Sequence, residues 1–192
     1  MEDLFNMPAK FRILSKRFWT DPRTRDLTAN QKLLFAYAIT GPEACTNTHS
    51  SGIYEIHRSS FENMIGFSYH ETDEILKFFN EKRPELLEYD AVEHMIYVKS
   101  FFKHNASYKP DVVRSVMDDF NETFDRAPMF WADFGIRYRE RLGKIYPVLM
   151  DPDQVKFLDR LFELKNEDLI PSSTVRSLSI NSLKSKKSLS PC

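Results

Sequence analysis

Apolar positions recur along this chain in two different periods. Leu33, Leu34, Tyr37 and Ala38 follow helical spacing behind Thr28-Ala29-Asn30-Gln31. In that Thr-x-x-Gln order, hydroxyl and amide side chains can cap each other's orphan backbone amides. Gly41-Pro42 stops the run, so the pattern predicts a helix over 29–40. Glu43 to Ser51 is polar and predicts a loop. Ile53-Tyr54-Glu55-Ile56, behind Gly52, predicts a short strand. Ser59-Ser60-Phe61-Glu62 has capping-box order and predicts a short helix closed by Gly66. Ser68-Tyr69-His70-Glu71 repeats the order and opens a longer helix, 69 to about 82, with Ile75, Leu76 and Phe79 on one face. Leu86 to Tyr89 and Met95 to Val98, either side of Asp90 to His94, predict a hairpin.

The flanks are less regular. Phe11 to Leu14 and Arg17-Phe18-Trp19 predict a strand or extended arm, and Asp21-Pro22 a turn or the start of a short helix. Residues 111–146 read as helical, with a break near Ala127-Pro128. Pro171 to Cys192 is rich in Ser and Lys and predicts disorder. The expected organisation is a flexible N-terminus (1–11), a folded unit (12–107), a helical extension (108–165) and a disordered tail (166–192). The fold class is mainly α with a small β-sheet, α+β. Helix, strand, short helix, glycine turn, longer helix and hairpin form the order of a winged helix-turn-helix. Its corner is Ile65-Gly66-Phe67-Ser68, where Gly66 can turn left-handed without Cβ strain.

Composition narrows the function classes. Sixteen Phe, eight Tyr and two Trp among 192 residues can fill a core. The mean hydropathy of -0.46 and the short longest apolar run, Leu33 to Ile39, argue against a membrane partner. Cys45 and Cys192 stand alone, and the acidic start Met1-Glu2-Asp3 has no apolar stretch behind it. A cytoplasmic protein without a disulfide framework is expected. Walker, G-x-G-x-x-G, H-E-x-x-H and G-x-S-x-G motifs are absent, so neither enzyme activity, cofactor nor metal is expected. Asp118-Asp119 reads as a solvated pair on a helix.

Charge is uneven. Residues 1–40 hold seven basic and four acidic side chains; residues 41–100 hold five and eleven. In a winged helix the N-terminal residues of the second helix meet base edges. The candidate DNA contacts there are Ser68, Tyr69, His70 and Thr72, with Lys77 a turn further on. Arg58, beside His57, would touch the backbone. Arg17, Arg23 and Arg25 in the arm, with Lys16, and Lys99, Lys103 and Lys109 after the hairpin would hold phosphates. Glu71, Asp73 and Glu74 oppose this. They support a second reading, a protein-interaction or oligomerisation module with an acidic surface. A transcriptional regulator of the same fold is a third. Phe130 to Arg141 interleaves aromatic and basic residues, as single-strand binders do. Phe130, Phe134 and Tyr138 also fall at core spacing, leaving Arg137, Arg139 and Arg141 outside. Lys184, Lys186 and Lys187 would add weak electrostatic affinity from the tail.

Taken in order, several segments resemble one family. They are Arg17-Phe18-Trp19-Thr20-Asp21, Leu27-Thr28 to Leu33-Leu34-Phe35, Gly52 to Ile56, Met64 to Ser68, and Val98-Lys99-Ser100-Phe101-Phe102-Lys103-His104-Asn105. Together they look like the N-terminal winged-helix domain of phage replisome organisers and DnaD-like replication initiation proteins. The resemblance spans about residues 12–110. It implies a domain that binds double-stranded origin DNA or self-associates into a homo-oligomer. It also implies a C-terminal region that recruits the replicative helicase or helicase loader.

Overall fold

The computed structural model describes residues 14–45, 50–105, 110–145 and 152–164. The expected flexible N-terminus, the expected disordered tail and Lys109 lie outside these residues. The described chain enters through a 3-10 turn, Lys16–Trp19, and helix α1, Pro22–Arg25. Arg17-Phe18-Trp19 is therefore not a strand or an extended arm. The Ser15 hydroxyl accepts the Arg17 amide at 3.2 Å, and the turn buries Phe18 against Phe35, ring centroids 5.7 Å apart.

Helix α2, Ala29–Thr40, starts at the expected capping box. The Gln31 amide donates to Thr28 Oγ1 at 3.2 Å, and the Thr28 amide donates to Gln31 Oε1 at 2.9 Å. A short helix α3, Pro42–Cys45, replaces the first part of the expected loop, since proline suits a first helical turn. Strand β1, Ile53–Glu55, leads into helix α4, Arg58–Ile65. Its N-cap is His57, with no side-chain cap bond, so the expected Ser59–Glu62 box does not form; Ser59 and Ser60 sit inside the first turn. Gly66, at φ +77°, closes α4 in the left-handed region. Helix α5, Tyr69–Lys82, opens on the expected Ser68–Glu71 box, and the Ser68 amide and hydroxyl hold the Glu71 carboxyl below its ordinary pKa. The hairpin follows as β2, Leu87–Asp90, and β3, Met95–Val98.

The sheet is antiparallel in the order β1-β3-β2, with Ile53 opposite Tyr97 and Leu87 opposite Val98. Strand side chains alternate between faces. Tyr54, Ile96, Val98 and Leu87 join α2, α4 and α5 in one core through Leu34, Phe61, Leu76 and Phe79. Ile53, Met95 and Tyr97 point the other way, into a second core. Beyond α6, Phe101–Asn105, that core is closed by α7, Pro110–Thr123, α8, Pro128–Ile145, and α9, Pro152–Glu163. They contribute Val116, Phe120, Trp131, Phe134 and Leu158, all fully or nearly fully buried. The segment expected as an extension thus covers the far face of the sheet. The architecture is α+β, mainly helical around three short strands.

Two polar anchors join this face to the rest. The buried Asp119 carboxylate accepts from the Ser50 amide (2.8 Å), the Ser51 amide (2.9 Å) and the Ser51 hydroxyl (2.7 Å). Asp119 is therefore not the solvated partner of Asp118. Lys99 Nζ lies 2.9 Å from Asp133 of α8 and 3.3 Å from Glu88 of β2. Burial pushes the Asp133 carboxyl up, but Lys99 and then Arg137 outweigh it and hold its pKa below the ordinary value. No helix among the described residues is long and apolar enough to cross a membrane.

Two stability predictions follow from these geometries. Gly52 has φ +83°, and a Cβ there would collide with the Phe101 Cβ and approach the Val98 carbonyl to 2.8 Å; Gly66 opens onto empty space. Gly52→Ala should cost about 3 kcal/mol or more in urea unfolding, and Gly66→Ala only about 1 kcal/mol. Equal costs would contradict this packing. Asp119→Ala strands three donors, two of them buried, and should cost about 2–4 kcal/mol, read as a lower urea midpoint.

Candidate nucleic-acid interface

The corner between α4 and α5 turns at Gly66 and starts α5 at Ser68, as expected, but its surface is acidic. Arg58 donates to the Tyr69 hydroxyl at 2.6 Å and pairs with Asp73 at 2.7 Å. This ties α4 to α5 and uses up the cation expected to meet a phosphate. Ser68 spends its hydroxyl on the capping box. Tyr69 and His70 are exposed, His70 lying 3.8 Å from Glu74; Lys77 is exposed and 3.9 Å from Glu81. Thr72 is 0% exposed. It cannot be a base contact, because it lies on the side of α5 that faces the core.

The other expected cations divide. Lys99 is 4% exposed and bound by two carboxylates, so it is a core anchor and not a phosphate ligand. Arg25 is exposed and 3.2 Å from Asp26. Arg17, Arg23 and Lys103 come together around one cavity of about 150 Å³. It lies where the 3-10 turn, α1 and α2 meet α6. Its floor is apolar: Phe18, Phe35, Ile39, Leu86 and Phe101. Its rim carries Arg17, Arg23, Lys103 and His104, with Asp21 as the one carboxylate.

Local chemistry places each rim residue. Asp21 caps α1 and grips Arg23 in a two-pronged pair at 2.8 and 3.0 Å, which holds the Asp21 carboxyl far below its usual range. Arg23 is thereby partly neutralised. Arg17 and Lys103 are exposed, and among the described residues no carboxylate lies within ion-pair distance of either. Arg141 of α8 extends the edge: its guanidinium stacks 5.2 Å from the Phe102 ring and donates to the Lys103 carbonyl at 3.0 Å. His104 registers the resulting field. Burial first, then Lys103, Arg23 and Arg141, push its pKa down, against Asp21.

The aromatic-basic stretch of α8 resolves into both of its expected parts. Phe134 and Tyr138 are buried in the second core with Phe130 packed against it, while Arg137 pairs with Asp133 and Arg139 lies over the Phe162 ring. His104 was missed as a site residue by sequence reasoning. The local signal was a Lys-His pair at a helix end, but nothing in the sequence puts that pair beside an arm some eighty residues earlier.

Among the described residues, no group of three or more His, Cys, Asp or Glu is placed to hold a metal ion. Compared with protein-family models, characterised proteins and solved structures, the chain matches none.

The lowered pKa of His104 has a signed consequence. The unfolded chain binds that proton more readily than the folded one, so stability falls as pH drops from the ordinary histidine value toward the folded one. Between about pH 7 and 5, the thermal midpoint of the wild type should fall more than that of His104→Asn. Parallel curves would remove His104 from the linkage.

Proposed function

We propose that this chain is a non-enzymatic DNA-binding protein of the replication-initiator or replisome-organiser type. In this reading the helix-strand-helix-corner-helix-hairpin order is a winged helix that works in the cytoplasm of a cell replicating the target DNA. The observation that carries it is the edge holding Arg17, Arg23, Lys103, His104 and Arg141. Arg17 and Lys103, with no carboxylate partner among the described residues, stand beside a cavity and make a ready site for the DNA backbone, whose neutralisation supplies most non-specific affinity. The proposed grip on double-stranded DNA therefore runs along this edge. The start of α5 is a poor phosphate site, because Asp73 cancels Arg58 and Glu71 and Glu74 add negative charge.

The acidic α4–α5 face favours a second role. Met64 and Tyr69 are exposed there, next to carboxylates. Such a surface suits protein contact better than DNA. A helicase, a helicase loader or a second copy of the chain would dock on it while the basic edge holds DNA. A transcriptional regulator would use the same DNA edge without the helicase contact.

The test is binding of the full chain to duplex fragments across a salt series. Wild-type affinity should fall steeply with salt. In Arg17→Glu/Lys103→Glu the log–log slope should shrink by about two. His70→Ala and Lys77→Glu should leave it nearly unchanged. No binding at low salt sinks the DNA reading. Loss of binding confined to the α5 variants moves the interface to α5.

A further inference from the structure

We propose that the cavity between the 3-10 turn and α6 is a binding site for a single pyrimidine nucleotide. The ring would sit on the apolar floor and the phosphate on the Arg17–Lys103 rim. This rests on the reading that the basic edge faces nucleic acid.

Three observations combine. The first is size. The cavity measures about 150 Å³, and an apolar cavity of about that volume takes one benzene ring. A six-membered pyrimidine fits within that space with less overhang than a fused purine. The second is the lining. Phe18, Phe35 and Phe101 reach the floor, so a planar ring meets aromatic edges and faces there. Ser100 also lines the cavity and offers a polar group for the edge of a base. The third is charge. Arg17 and Lys103 stand on the rim with no carboxylate partner among the described residues, while Arg23 is already held by Asp21. A solvated surface cation needs no apolar pit beside it. An amphiphilic anion needs both, and a nucleotide supplies a flat apolar face at one end and a phosphate at the other.

Trp19 adjoins the cavity through Phe18. It is 59% exposed, and its ring meets Phe18 edge-on, centroids 4.9 Å apart. An exposed indole is a stacking platform for the neighbouring base of a strand. The site therefore takes a free nucleoside monophosphate or one unpaired pyrimidine within a single strand.

The experiment is calorimetric titration of the full chain with thymidine 5′-monophosphate, thymidine, deoxyadenosine 5′-monophosphate and inorganic phosphate. Oligo(dT), oligo(dA) and a duplex of mixed sequence form a second series. Thymidine 5′-monophosphate should bind best, and the other three at least about tenfold more weakly. Oligo(dT) should exceed oligo(dA) and quench tryptophan fluorescence, and the quench should vanish in Trp19→Phe. Arg17→Gln and Lys103→Gln, both at exposed positions, should each weaken nucleotide binding by about tenfold. Lys156→Gln on α9 should not.

Inorganic phosphate binding as tightly as the nucleotide would overturn the proposal and leave a plain anion site. Equal binding of the purine nucleotide would overturn the pyrimidine pocket. Duplex binding with no nucleotide binding sinks the pocket and spares the DNA reading. Nucleotide binding without any DNA binding does the reverse.

Discussion

The central strand of the three-stranded sheet has no face left for water, and the rest of the molecule is arranged around that constraint. A sheet of three short strands is marginal alone and gains independence only by packing its faces. Here the central strand β3 is buried on both sides. Met95 and Tyr97 feed one core, Ile96 and Val98 the other. The edge strand β2 is also covered: the Asn80 side chain of α5 bonds both the amide and the carbonyl of Tyr89, at 2.8 and 2.9 Å. That leaves little exposed backbone for another chain to pair with.

Burying both faces forces polar groups into the interior, and they are satisfied in pairs. Lys99, just past β3, would be costly to bury alone. Glu88 and Asp133 meet it from opposite sides, so β2, the end of β3 and α8 share one ionic knot. Asp119 does the same for the loop before β1. Through these anchors the late helices are tied to the early sheet, and α8 carries Arg141 to the back of Lys103.

This arrangement separates charge. The α4–α5 corner collects carboxylates, while the 3-10 turn, α6 and the end of α8 collect cations. A corner of helix-turn-helix order, where sequence logic looks for DNA, faces outward with the wrong sign. The basic edge along the 3-10 turn and α6 has the right sign and a cavity.

Local chemistry was legible in the sequence wherever it was short-range. The Thr28 and Ser68 capping boxes, the left-handed Gly66 and the alternation of the hairpin each depend on neighbours within a few residues, and each formed where the pattern put it. The Ser59 box did not form, because the start of α4 is set at His57 directly behind β1. Which cations remain free was decided only by the fold. Arg58, Lys99 and Lys103 look alike in sequence, yet Asp73 claims the first, Glu88 and Asp133 claim the second, and nothing among the described residues claims the third. Ion pairs and cavities depend on distances across the chain, and no local pattern encodes a carboxylate arriving from thirty residues away.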